Sequence, residues 1–287
     1  MPTEILIVGA TGKQGGKALS NLLESPNASS NLSLRFLTRN PTSASAQKLV
    51  ARGAKAVKGD LNDTSSLNSA LEGVDRAFFV TDALAGEAKE VQQGKNFVNA
   101  AQKAGVKHLV FTSVCAADTA TIVPHFRSKY EVEKHLQASG ISHTILRPVA
   151  FMDNFPVASG ITRFLGIGAF FAFTKGRPCA FIAVEDIGVF AGKALLSPED
   201  PAFKNQIIDL AEGDYDLEST RRSIQKAQGY SPWLASYIPG FTRSILPHDF
   251  KMMFTYFEQS GYPAVNTAEL KKIHPGLMSM EDYFRKG

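Results

Sequence analysis

An apolar run, Ile5-Leu6-Ile7-Val8, empties into Gly9, Gly12 and Gly15 at three-residue spacing, and a helical pattern (Ala18, Leu19, Leu22, Leu23) follows at once. A strand that turns through glycines into a helix leaves the chain few local geometries. Gly9 permits the tight turn out of the strand, Gly12 lets backbone N–H groups approach an anion closely, and Gly15 lets the helix pack against the sheet. The positive end of a helix beginning near Lys13 then faces that anion. With the strand before and the helix after, this is the setting in which such glycines hold a dinucleotide's pyrophosphate, and Thr11, Lys13 and Gln14 belong to the same loop.

Strand-length apolar runs recur at 4–10, 32–38, 54–59, 76–81, 108–114 and 142–147, with helical patterns at 13–24, 43–52, 64–72, 86–105 and 125–139. The alternation predicts an α/β fold, a doubly wound parallel Rossmann sheet with helices on both faces. After Pro148 the rhythm breaks. Residues 151–185 are rich in Phe and Gly, 186–196 reads as a helix, 206–210 as a strand, and 216–227 as another helix. The expected division is a nucleotide-binding domain of 1–150 plus 186–211. A smaller, interleaved C-terminal α/β lobe, 151–185 plus 212–287, holds a substrate or a partner across a cleft.

A chain of 287 residues buries a large core. Thirty-one basic against 27 acidic residues give a charge of +4 with no long basic block, so direct nucleic-acid binding is not expected. Two cysteines, Cys115 and Cys179, show no metal-ligand spacing and are too few for a disulfide framework; no metal site is expected. Cys115, beside the end of the fifth strand, reads as a buried thiol rather than a redox sensor. The N-terminal residues carry no signal-peptide pattern, and the longest apolar run, Phe164 to Phe173, is well short of a bilayer span. The expected location is the cytoplasm, with the nucleus as a further compartment, and no membrane association.

The second strand ends in Leu37-Thr38-Arg39-Asn40, with no acidic residue to bond a ribose 2′-hydroxyl. Arg39 therefore points to a 2′-phosphate and to NADP(H), with Lys13 as a second positive charge near it; the plain alternative is that both are solvated surface charges. Gly59-Asp60-Leu61 closes the third strand where adenine would lie, and Thr81 closes the fourth. Asp60 bonds the adenine, caps the following helix, or does both.

Together with Thr38-Arg39-Asn40-Pro41, Gly59-Asp60-Leu61, Ser128-Lys129 and Leu146-Arg147-Pro148, the glycine loop makes the chain resemble the NmrA-like branch of the atypical short-chain dehydrogenase/reductase superfamily. The resemblance covers almost the whole length and implies an NADP(H) site. It includes NADP(H)-sensing regulators as well as quinone, enone and phenylpropanoid ether reductases, so fold and cofactor do not by themselves imply turnover.

Tyrosine-dependent relatives carry Tyr and Lys four residues apart on one helix, and Tyr130 and Lys134 match that spacing literally. At about 100° per residue, however, Lys129 and His125 share the arc of Val132 and Leu136, while Tyr130 and Lys134 fall with Glu133 and Gln137 on an arc that reads as solvated. The resemblance thus places the family's lysine at Lys129 and puts His125 where the tyrosine is expected. Lys129 is the candidate ribose-binding and catalytic lysine, and His125 is either a proton donor or a wall of the pocket. Thr112 or Ser113 stands at the superfamily's third position, or both serve backbone groups at the strand end.

Phe151, Phe155, Phe164, Phe170, Phe171, Phe173, Phe181 and Phe190 crowd the segment after Pro148, either as core or as an apolar wall for a flat acceptor. Phe151, Asn154 and Phe155 are the candidate substrate residues, Asn154 orienting a carbonyl or the nicotinamide amide, or capping the next helix. Trp233, Tyr237 and Phe241, four apart, form one face of a helix, a lid or a partner-binding surface. Two functions follow: an NADPH-dependent reductase of a small apolar carbonyl, quinone or enone compound, and a non-catalytic sensor whose grip on a regulatory protein depends on the bound cofactor's redox state.

Overall fold

The computed structural model describes residues 2–26, 31–158, 160–230 and 239–287. Seven parallel strands form the main sheet: β1 (Thr3–Val8), β2 (Leu32–Thr38), β3 (Lys55–Lys58), β4 (Arg76–Phe79), β5 (His108–Thr112), β6 (Ser142–Pro148) and β9 (Gln206–Leu210). Their order is β3-β2-β1-β4-β5-β6-β9, the doubly wound arrangement in which the winding direction reverses between β1 and β4. Most strands stop one or two residues short of their apolar runs, because residues such as Gly9, Thr81 and Ser113 leave the ladder to form the sheet's C-terminal rim.

Helices α1 (Lys13–Leu23) and α2 (Ala44–Ala51) cover one face, α3 (Thr64–Leu71), α4 (Glu87–Ala104) and α5 (Pro124–Ala138) the other. On that second face Phe79 stacks on Phe111 at 4.6 Å and tilts against Phe97 at 4.8 Å, all three fully buried. Each such ring contributes about 1.5–3 kcal/mol by leaving water. The apolar face of α1 (Ala18, Leu19, Leu22) packs with Ile187 and Ala191 of α7 (Val184–Leu196).

The chain after Pro148 does not stay on one side. Strands β7 (Ala150–Phe151), β8 (Cys179–Ile182) and β10 (Gly213–Tyr215) make a small separate sheet, and between β7 and β8 the run Phe164 to Phe173 forms most of helix α6 (Ile161–Phe173). Helices α8 (Leu217–Gln228), α9 (His248–Gln259) and α11 (Met280–Phe284) close the second lobe, whose core is built from phenylalanines and Tyr256 and Tyr283. The capping box of Asp216 and Ser219 starts α8. In contrast, α10 (Thr267–Ile273) and Leu277 pack on the nucleotide side, where buried Asp186 accepts hydrogen bonds from His274 Nε2 (2.9 Å) and Met278 N (3.0 Å). Among the described residues no helix is long and apolar enough to cross a membrane.

Candidate functional site

The C-terminal rim of the main sheet frames a cleft of about 940 Å³. Strand order fixes how it is laid out. Arg39 leaves β2, Gly9 leaves β1 and Thr81 follows β4, so the rim passes from Arg39 across the glycine loop to Thr81, and Phe151 and Asn154 beyond β6 complete the wall. A ligand crossing the winding reversal lies where this fold class binds nucleotides.

The glycine loop has the shape an anion needs. Gly9 sits at φ +75°, and a Cβ there would lie 2.7 Å from Val80 Cγ1; a Cβ on Gly15 would lie 2.5 Å from the Gly9 carbonyl carbon and oxygen. A side chain at Gly9 would be strained by its positive φ and would have to displace Val80, and one at Gly15 would require the backbone itself to move. Gly12 precedes α1 and offers no side chain to cap it, so the helix's first N–H groups are left to the cleft. The Gln14 side-chain oxygen is buried with no hydrogen-bond partner among the described residues. These features fit a dinucleotide, its pyrophosphate on the start of α1.

Gly9, Thr11, Gly12, Lys13, Gln14, Gly15, Arg39, Asp60, Leu61 and Thr81 all line the cleft. Arg39 is exposed beside Asn40, Ser43 and Ser45 and has no protein partner among the described residues. Lys13 is different from its expected position. Its ammonium donates to the Asp153 carbonyl at 2.9 Å, on the second-lobe side of the cleft, instead of joining Arg39, because its stem projects from the loop toward the turn Met152–Asn154. Asp60 does not cap α3. Asp63 does, accepting from Ser65 N and Ser66 N, while Asp60 Oδ1 accepts from Asn62 N and Nδ2.

Lys129 lies deeper, 7% exposed, and the reason is a residue that periodicity did not mark. Glu90 of α4 is fully buried and accepts from Lys129 Nζ at 2.9 Å and Thr81 Oγ1 at 2.7 Å through the same oxygen, and from Ser128 Oγ through the other. Lys129 Nζ also reaches Thr81 Oγ1 at 3.3 Å. Burial works against the charge on Glu90, but the Lys129 ammonium and the three donated hydrogen bonds outweigh it and hold the carboxyl below its ordinary value. The two helices come close enough for this because Gly94 packs directly against Val132. Lys129 thus meets the cleft through Thr81, as a cation already fixed in place.

His125 is not in the cleft wall. Its Nδ1 lies 2.7 Å from Asp249 Oδ2, its backbone N–H donates to Asp249 Oδ1 at 3.2 Å, and its ring meets Phe126 edge-on. Tyr130 and Lys134 are on the outer side of α5, with Lys134 exposed and paired to Glu131 at 2.6 Å. Glu133, read as solvated with them, is instead fully buried, because Arg147 from β6 meets it with two hydrogen bonds at 2.9 and 2.6 Å. A helix wheel shows only the core-facing stripe and not a cation buried at its edge.

The phenylalanines divide. Phe151 and Asn154 line the cleft, and Asn154 caps no helix, since α6 starts after Gly160. Phe155 is corrected: it is 1% exposed and packs against Phe170, Phe171 and Phe181 at 5.4–6.4 Å, as core of the second lobe and not wall of the cleft. Phe190 is likewise core. Thr112 and Ser113 are buried, and neither hydroxyl has a partner among the described residues, so they serve no backbone group. Burial and nearby Asp209 push the Cys115 thiol far up, which keeps it protonated and inert. Trp233, Tyr237 and the side chain of Phe241 lie outside the described residues.

A model of the NmrA-like family matches residues 1–284. Quinone oxidoreductase 2 of Escherichia coli (strain K12) is 35% identical over 151 residues, 53% of this chain and 50% of that protein, so the match spans half of the relative's length. Among solved structures, an NADPH-dependent quinone oxidoreductase from Escherichia coli complexed with NADPH superposes with a TM-score of 0.72 at 22% identity, covering 98% of this chain and 99% of that one. NmrA, a negative transcriptional regulator, in complex with NADP, gives a TM-score of 0.72 at 18% identity over 99% and 95%. At these identities the structural likenesses show a shared fold.

Proposed function

The chain belongs to the NmrA-like family, and from that premise we propose that it is an NADPH-dependent reductase of an apolar carbonyl, quinone or enone compound bound where the two lobes meet. One observation carries the reading: a single cleft joins Arg39, which has no protein partner among the described residues, and the glycine loop to Phe151 and Asn154 of the second lobe. Gly9, Thr11, Gly12, Gln14 and Gly15 would hold the pyrophosphate, Arg39 the 2′-phosphate, and Asp60 and Leu61 the adenine side. Lys129 would hold the nicotinamide ribose, with Thr81 beside it. Bound NADPH supplies the hydride. The protein's own part is to orient the acceptor against Phe151 and Asn154, to exclude water, and to deliver a proton. Anaerobic NADPH oxidation against a panel of quinones and enones tests this: acceptor-dependent oxidation is expected, and tight NADPH binding without turnover on any acceptor overturns it.

A second reading has its own support. His125 stands where the resemblance leads one to expect a tyrosine, and Phe155, Phe170, Phe171, Phe173 and Phe181 pack as core of the second lobe. A non-catalytic sensor requires that NADP+ and NADPH favour different conformations, each with its own affinity for a regulatory protein. Equal affinity for that protein with NADP+, with NADPH and without cofactor removes this reading.

A further inference from the structure

Helix α5 starts without a local cap: Val123 precedes it and has no side-chain acceptor, and Pro124 occupies its first position. The acceptor comes instead from 124 residues away. Asp249, in the first turn of α9, takes the backbone N–H of His125 on Oδ1 (3.2 Å) and faces the ring nitrogen Nδ1 with Oδ2 (2.7 Å). The carboxylate therefore lies at the N-terminal ends of two helices, α5 and α9, where negative charge is favoured. Burial opposes its ionisation, but the hydrogen bonds and charge of His125, with nearby His248, hold it below its ordinary value. A carboxylate accepts and does not donate, so the proton between the two groups belongs to Nδ1.

We propose that Asp249 is a positioning residue for the reductase reading above: it fixes the imidazole of His125 with Nδ1–H toward the second lobe and leaves Nε2 as the nitrogen that exchanges the proton. His125 lies one helical turn before Lys129 on the same face, and its side chain is 15% exposed. Because His125 stands outside the cleft wall, in the reductive step the imidazolium gives its Nε2 proton to a relaying water as that water gives a proton to the acceptor's oxyanion. Neutral imidazole remains, still hydrogen-bonded to Asp249, and Nε2 is reprotonated from water. Because the same carboxylate caps α5, the second lobe also sets the start of the helix that carries Lys129. A plain cap explains the backbone bond but not the one to Nδ1.

Asp249→Asn separates the two roles. The amide oxygen keeps the helix cap, while the NH2 group facing Nδ1 makes that nitrogen an acceptor and moves the proton to Nε2. In the ¹⁵N ring spectrum of labelled protein, neutral His125 is expected as the Nδ1–H tautomer in the native chain and as the Nε2–H tautomer in Asp249→Asn. With an acceptor that supports turnover, kcat is expected to fall by about 100-fold in Asp249→Asn and in His125→Ala, with the KM for NADPH unchanged. An unchanged tautomer, or a native kcat in Asp249→Asn, overturns the proposal. Absence of turnover in the native chain overturns the reductase reading instead, and the tautomer comparison still decides whether Asp249 sets the ring.

Discussion

Lys129 of α5 and Glu90 of α4 form an ion pair at 2.9 Å with Glu90 fully out of water, and Thr81 and Ser128 each donate a further hydrogen bond to the carboxylate. Truncating one member of such a pair leaves a buried charge without a partner, which costs about 3–5 kcal/mol. Lys129→Ala is therefore expected to lower stability by that order, measured by urea denaturation, in addition to any loss of cofactor affinity. Glu90→Gln, which keeps the shape and some of the hydrogen bonds, is expected to cost less.

The same pair gives a pH dependence with a definite sign. The carboxyl of Glu90 is held below its ordinary value near 4.5 in the folded protein. Its contribution is fully present above that value and is lost as pH falls through the lower, folded value, since the unfolded chain binds the proton first. Stability of the native chain should fall more steeply below pH 4.5 than that of Glu90→Gln, measured by thermal melts across an acid series.

Arg39 is the exposed cation expected to meet the 2′-phosphate. Losing charge-assisted hydrogen bonds of about 1.5–3 kcal/mol corresponds to roughly 10- to 100-fold in affinity. Calorimetric titration of Arg39→Ala should show that weakening for NADPH and almost none for NADH. Equal weakening of both would place Arg39 away from the phosphate.

The glycine loop makes a sharper structural demand. Gly15→Ala would set a methyl 2.5 Å from the Gly9 backbone, so the loop itself has to move. NADPH affinity is expected to drop at least tenfold, by about 1.4 kcal/mol or more, while the rest of the sheet keeps its amide-exchange protection.

Phe151 and Phe155 should separate in opposite ways. Phe155→Ala removes a ring from the second lobe's core and is expected to cost about 3–5 kcal/mol of stability. Phe151→Ala, at the half-buried cleft wall, is expected to cost less stability and to raise the acceptor's KM.

What was legible in the residues was whatever repeats locally. The strand–helix alternation, the glycines after β1 and Arg39 after β2 are short-range patterns, and the strand order then brings them to one rim. The partners that fix Lys129 and His125 were not legible, because Glu90 and Asp249 lie 39 and 124 residues away, and charged residues on helices ordinarily read as solvated. Glu133 reads as solvated for the same reason, its Arg147 partner lying on a strand of the sheet beneath it. The phenylalanines were ambiguous because core and pocket walls draw on the same side chains. Only the packing of Phe155 on Phe170, Phe171 and Phe181 divides them.

The central claim, that the bound cofactor is consumed as a reductant, is tested most directly by an anaerobic single turnover. Protein in excess over NADPH is mixed with quinone or enone acceptors, and NADP+ and reduced acceptor are quantified. Complete oxidation of bound NADPH with an equimolar yield of reduced acceptor is expected for at least one of them. NADPH that stays bound and unoxidised with every acceptor would contradict it.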